Sequence, residues 1–125
     1  MKIERKYHAD GAIIEERYYA NGKIHREDGP AIIWYYHYSG RIEQEEYYIN
    51  GKLHRENAPA RISYWNSGQI KIERYCIDDK THRLDGPALI GYYGNGKIIY
   101  EHYIINGKLI TDEFQLLVMK TLEIE

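Results

Sequence analysis

The sequence predicts a mainly β fold, an antiparallel β-hairpin repeat array closed by one C-terminal helix, and three observations predict it. The stretch Asn50-Gly51-Lys52-Leu53-His54-Arg55-Glu56-Asn57-Ala58-Pro59-Ala60 recurs from Asn21 to Ala31 and from Asp78 to Ala88, with a truncated copy at Asn106-Gly107-Lys108-Leu109. Successive copies start 29, 28 and 28 residues apart. A second turn lies midway between them, at Asp10-Gly11, Ser39-Gly40, Ser67-Gly68 and Asn95-Gly96, and keeps the same intervals. Tyrosine occurs 14 times against a single phenylalanine. An aromatic ring with a polar tip suits strands that are half buried and half wet.

We expect a single domain over residues 1–125, with units at about 10–38, 39–66, 67–94 and 95–110. Each unit holds two half-units of about fourteen residues, the length of a strand pair or of one long strand with its turn, giving about ten short strands in all. Asn-Gly pairs accept positive φ at low cost, which makes them hairpin signals. After each midway turn come Ile13, Ile42, Ile70 and Ile98, then Glu16, Glu45, Glu73 and Glu101, then Tyr18, Tyr47, Tyr75 and Tyr103. A period of two puts the Glu and Tyr on one face and, in a regular strand, the Ile on the other. The Asn-Gly-Lys turn follows, then a short extended piece ending in His-Arg. Asp28-Gly29-Pro30, Asn57-Ala58-Pro59 and Asp85-Gly86-Pro87 then break the ladder, because proline has no N–H to donate.

Beyond each proline the pattern is Ala-x-Ile-x-Tyr: Ala31-Ile33-Tyr35, Ala60-Ile62-Tyr64 and Ala88-Ile90-Tyr92. These residues share one face and form the expected core stripe. The intervening Ile32-Trp34-Tyr36, Arg61-Ser63-Trp65 and Leu89-Gly91-Tyr93 vary between copies, as an exposed or partner-facing surface would. The tail changes period. Asp112 and Gln115 are spaced as a capping box, and Phe114, Leu117, Val118 and Leu122 follow at helical spacing. A helix over about 112–123 is expected to pack over the last strands, since a terminal repeat needs a closing element.

Seventeen basic against 19 acidic side chains, a net charge of −2, give no strong pull toward nucleic acid or an anionic membrane. Cys76 is alone, which excludes an intrachain disulfide and suits a reducing interior. We therefore expect a cytoplasmic setting. Met1-Lys2-Ile3-Glu4-Arg5-Lys6 carries no apolar run, so no signal peptide is expected. No stretch approaches the length of a membrane span.

The pairs His25-Arg26, His54-Arg55 and His82-Arg83 invite a metal or anion reading. Strands stack about 4.8 Å apart, so equivalent residues in successive units lie roughly 10–14 Å apart. Ligand bonds of about 2 Å need donors much closer together. No metal site is expected. The alternative is a structural ladder in which His25, Arg26, His54, Arg55, His82 and Arg83 meet the repeated Glu16, Glu45, Glu73 and Glu101, turn aspartates or backbone carbonyls. The glutamates recur at a spacing that a glycosidase pair, about 5–10 Å apart, would use. They look interchangeable, however, and catalytic pairs need unlike surroundings. Cys76 has no unique His-Asp partner. We expect no catalytic residues and no cofactor. Trp34, Tyr36, Arg61, Trp65 and Tyr93 are the residue types that anchor protein interfaces, and are the candidate binding surface.

The run Tyr-Tyr-x-Asn-Gly-Lys-x-His at Tyr18–His25 and Tyr47–His54 resembles the turn region of MORN repeats. The longer form at Asn21–Ala31, Asn-Gly-Lys-x-His-Arg-x-Asp-Gly-Pro-Ala, resembles a MORN-like variant of bacteria, phages and giant viruses. The resemblance covers roughly residues 7–110. Here the period is longer than in ordinary MORN repeats and their Tyr-x-Gly-x-Trp core is absent, so lipid binding is not carried over. The resemblance implies a β-hairpin array used as a binding scaffold. Some proteins with related repeats are labelled antitoxins. The expected function is therefore non-catalytic: docking on and inhibiting one protein partner, a toxin or defence nuclease complex, as an antitoxin, immunity protein or phage anti-defence inhibitor of the anti-CRISPR type. The alternative is a nucleic-acid or nucleotide binder using the Arg and aromatic columns. A homodimer is compatible with either.

Overall fold

The computed structural model describes residues 1–124. In chain order the strands are β1 (Lys2–Tyr7), β2 (Ile13–Ala20), β3 (Lys23–Ile24), β4 (Ile32–Tyr35), β5 (Ile42–Glu46), β6 (Tyr48–Ile49), β7 (Lys52–Leu53) and β8 (Arg61–Tyr64). They continue as β9 (Ile70–Arg74), β10 (Cys76–Ile77), β11 (Lys80–Thr81), β12 (Leu89–Tyr92), β13 (Ile98–His102), β14 (Ile104–Ile105) and β15 (Lys108–Leu109), before one helix, α1 (Glu113–Ile124). The protein is mainly β, an antiparallel sheet of hairpins with a C-terminal helix. The main sheet runs β1-β2-β4-β5-β8-β9-β12-β13, with β3 added to β2. The short strands β6-β7, β10-β11 and β14-β15 pair as separate hairpins.

Fifteen strands stand where about ten were expected, because the long strands change partner partway. Tyr47 N–H donates to Ala60 O at 2.8 Å, across to the next unit, while Tyr47 O accepts from His54 N–H at 2.9 Å, in its own hairpin. Tyr75 does the same with Ala88 and His82. Each switch ends one ladder and begins another. The turns beyond are left-handed at both central residues: Asn50 and Gly51 have φ of 50° and 81°, and Asp78 and Asp79 have 47° and 69°. That backbone matches the twist of the flanking strands.

The long hairpins are irregular at one repeated place. The register shifts after Lys6, Trp34, Ser63 and Gly91, setting Ile13, Ile42, Ile70 and Ile98 opposite Tyr7, Tyr35, Tyr64 and Tyr92. The alternation expected of a regular strand therefore does not assign these isoleucines to the far face, since a bulge resets the facing of the residues beyond it.

The core is a seam across the sheet. Ala31, Ala60 and Ala88 are fully buried, with Ile33, Ile62 and Ile90 beside them nearly so. Leu53, Ala60 and Cys76 pack together under Tyr48. The varied positions are less open than expected. Ile32 and Gly91 are buried, Trp34, Tyr36, Arg61, Ser63, Trp65 and Leu89 are half-buried, and Tyr93 alone among them is exposed. Arg61 is drawn onto buried Glu46, Tyr36 and Trp65 reach the carbonyls of Tyr64 and Tyr92, and the Tyr100 ring covers Gly91.

The helix starts as expected, with Asp112 Oδ1 accepting from Gln115 N–H at 2.8 Å. Its packing differs. Phe114, Leu117, Val118 and Leu122 are exposed, and Met119 is buried. Lys120 places its ammonium over the Tyr103 ring. Helical spacing identifies an apolar stripe but not the direction it faces, and here the stripe turns away from the strands.

Candidate functional site

One face of the sheet carries a cross-strand row of alternating glutamate and isoleucine: Glu16, Ile33, Glu45, Ile62, Glu73, Ile90 and Glu101 stand opposite one another in turn. A carboxylate between apolar neighbours needs donors. Tyr35, Tyr64 and Tyr92 donate their hydroxyls to Glu16, Glu45 and Glu73. Burial, and then the carboxylate at the hydroxyl, push all three phenols well above their ordinary range. Burial also pushes the Glu16 carboxyl up, but Tyr35 and Arg5 outweigh it and hold the group below the usual range.

This predicts alkaline sensitivity. A phenol whose folded pKa is raised keeps its proton when the unfolded chain has lost it. The stabilisation is therefore complete below the unfolded value of about 10 and is lost as pH rises from there toward the folded value. The melting temperature is expected to hold up to about pH 10 and then fall, which thermal melts monitored by circular dichroism at stepped pH will show.

The His-Arg pairs share one set of contacts. The guanidinium groups of Arg26, Arg55 and Arg83 lie 4.0, 3.8 and 4.1 Å from the ring centroids of Tyr18, Tyr47 and Tyr75. Their Nη1 groups donate to the carbonyls of Pro30, Pro59 and Pro87. Their backbone N–H groups cross to Tyr48, Cys76 and Ile104 of the next hairpin. Each histidine Nδ1 accepts from the backbone of the following turn: His25 from Asn50, His54 from Asp78 and His82 from Asn106. Between successive loops lies a cleft. One, of about 570 Å³, is lined by Arg26, Asp28, Tyr47, His54 and Arg55. The next, of about 430 Å³, is lined by Arg55, Tyr75, His82, Arg83 and Asp85. Asp28 and Asp85 pair with Arg26 and Arg83, which offsets the cationic character of both.

The candidate interface residues divide into two groups. Tyr36, Trp65 and Tyr93 hold the same position in successive midway turns, where their N–H groups donate to Arg41, Gln69 and Lys97. Tyr36 hydroxyl donates to Tyr64 O at 2.6 Å, and Trp65 Nε1 donates to Tyr92 O at 3.3 Å, so both reach across to the next hairpin. Trp34 and Arg61 lie apart from them, Trp34 in register with Glu15 and Gln44 and Arg61 on Glu46. Among the described residues no group of His, Cys, Asp and Glu is placed to hold a metal ion. Cys76 is buried, and burial pushes its thiol up.

Sequence reasoning missed one cluster. His8 stacks on His37 at 3.7 Å between centroids, His37 stacks on Tyr38 at 4.4 Å, and His37 Nε2 lies 2.8 Å from Asp10 Oδ2. Tyr38 is 95% exposed. The signal was present in the one 29-residue interval. The turn that closes between Tyr36 and Arg41 is a residue longer than those between His8 and Ala12, Trp65 and Gln69, and Tyr93 and Lys97. No protein-family model, curated protein or solved structure matches this chain.

Proposed function

We propose that this chain is a non-catalytic, MORN-like β-repeat scaffold with a 28–29-residue period that docks on one protein partner and inhibits it. Its class is that of an antitoxin, immunity protein or phage anti-defence inhibitor acting in a reducing cytoplasm. The observation that carries this reading is the sameness of the recurring polar groups. Arg26, Arg55 and Arg83 make the same ring and carbonyl contacts, His25, His54 and His82 each accept from the following turn, and Glu16, Glu45 and Glu73 each take a tyrosine hydroxyl, so these groups recur as a packing solution rather than as one catalytic pair in unlike surroundings. Recognition then falls to residues that break the pattern at the turn end of the sheet: the projecting Tyr38, with Trp65 and Tyr93 in the same row of turns. Large aromatic side chains are the usual anchors of such interfaces.

Affinity capture from the native host tests it. A single stoichiometric partner is expected, and replacing Tyr38 and Tyr93 by alanine should reduce its capture at an unchanged melting temperature. Recovery of no stoichiometric protein, or capture indifferent to both substitutions, would reject the reading. The Arg-Tyr clefts favour a second reading, nucleic-acid or nucleotide binding, which predicts affinity falling steeply with salt.

A further inference from the structure

The main sheet is open at both ends, and its two edges are complementary. Among the described residues β1 pairs only with β2, and β13 only with β12. In register, β1 stands to β2 as β4 stands to β5, β8 to β9 and β12 to β13. The central pairs are Arg5 with Glu16, Ile33 with Glu45, Ile62 with Glu73 and Ile90 with Glu101. Each hairpin thus has a first-type strand and a second-type strand. Inside the sheet every second-type strand is followed by a first-type strand: β4 lies on β2, β8 on β5 and β12 on β9. The incoming strand supplies the tyrosine whose hydroxyl reaches the glutamate of the strand before it.

β13 is a second-type strand with no such follower among the described residues. Glu101 is exposed, whereas Glu16, Glu45 and Glu73 are half-buried. Ile98 is exposed where Ile13, Ile42 and Ile70 are half-buried. The helix packs at Tyr103 and leaves Ile98, Ile99, Glu101 and His102 exposed. β1 is the first-type strand whose outer side is open, and all six of its residues are exposed.

We propose that the occupant of the β13 edge is β1 of a second copy of this chain, so that the protein associates head to tail. The internal register carries over directly. Glu101 faces Arg5 of the next copy, His102 faces its Glu4, Tyr100 faces its Lys6, and its Tyr7 hydroxyl reaches Glu101. Arg5 already gives its Nε to Glu16 at 2.8 Å with its side chain 44% exposed. In the joined sheet it lies between two carboxylates in the same cross-strand row. Charge selects this pairing over the symmetric ones, because like charges directly opposite each other are destabilising. Two β1 edges would set net positive charge against net positive charge, since each carries Lys2, Arg5 and Lys6 against the one Glu4. Two β13 edges would leave Glu101 with no cation opposite it. The two patches lie at opposite ends of one sheet, so the association is heterologous and does not close on itself. This inference is independent of the docking on a foreign partner, which uses the turn end of the sheet.

Sedimentation velocity on the full chain over a concentration series at low salt tests it. The average size is expected to rise with concentration without stopping at a dimer, and to shrink in high salt. Glu101→Arg and Arg5→Glu should each weaken association by about tenfold or more, since each sets like charges opposite one another, and an equimolar mixture of the two should recover it. Glu101 is exposed, so Glu101→Arg should melt as the parent does when dilute. Oxidation of a Glu4→Cys chain mixed with a His102→Cys chain should yield mixed covalent dimers, with buried Cys76 unreacted. A monomer at every concentration, a limiting dimer, or association indifferent to both charge reversals would overturn the proposal. So would cross-linking of the His102→Cys chain to itself in preference to the mixed product.

Discussion

Leu53→Ala is expected to lower stability by about 2–4 kcal/mol, the cost of removing a buried leucine and leaving part of the cavity unfilled. Leu53 is 6% exposed and packs with Ala60, Cys76 and Tyr48. Its backbone is also the junction between two hairpins: Leu53 N–H donates to Asp79 Oδ1 at 2.8 Å, and Leu53 O accepts from Asp79 N–H at 2.9 Å. A side chain whose main chain is pinned at both ends cannot collapse readily into the void. Leu109 follows its Asn-Gly-Lys turn at the same offset but is 50% exposed. Leu109→Ala should therefore cost no more than about 0.5 kcal/mol. Urea denaturation of both variants measures the contrast. Equal losses would show that the seam through Ala60 is not where stability resides.

Arg55→Ala should cost about 1–3 kcal/mol, combining a partly desolvated cation–π contact with a charged hydrogen bond to a carbonyl. Arg55 lies 3.8 Å from the centroid of the Tyr47 ring and donates to Pro59 O at 3.2 Å, closing the loop that carries the proline. Its removal uncovers the ring and leaves the carbonyl to water. Lysine should recover only part of the loss, since an ammonium cannot stack flat and bond sideways at once. A double-mutant cycle with Tyr47→Leu isolates the ring contact and should give a coupling of about 0.5–2 kcal/mol. An unchanged melt with lost partner capture would instead assign the Arg column to recognition.

Much of the hairpin array was legible because its turns are chemically marked. Asn50-Gly51 adopts the positive φ that those residues accept cheaply, and Asp112 caps the helix its spacing announces. What was not legible depends on partners distant in sequence. Nothing local in Tyr47 says that its N–H and C=O will bond to different neighbours. The register shift before Tyr35 arises from the pairing of β4 with β5, so neither strand alone shows it. Phe114 and Leu117 turn outward, whereas periodicity fixes only that the two share a side. Of the candidate interface residues, the common position of Tyr36, Trp65 and Tyr93 could be read from their offsets to the midway turns. The use of Tyr36 and Trp65 as bridges to the adjacent hairpin could not.

The junctions between hairpins share one main-chain bond. Arg26 meets the carbonyl of Tyr48 as Arg55 meets that of Cys76 and Arg83 that of Ile104, all at 3.1 Å. A segment duplicated in tandem would find at each of its ends the bonding partners it had before, and one excised would leave flanking halves that still fit. In its main-chain bonds such a molecule can change length by whole hairpins through gene duplication or loss, while side chains peculiar to one junction, such as Asp79 on Leu53 N–H, would meet new neighbours.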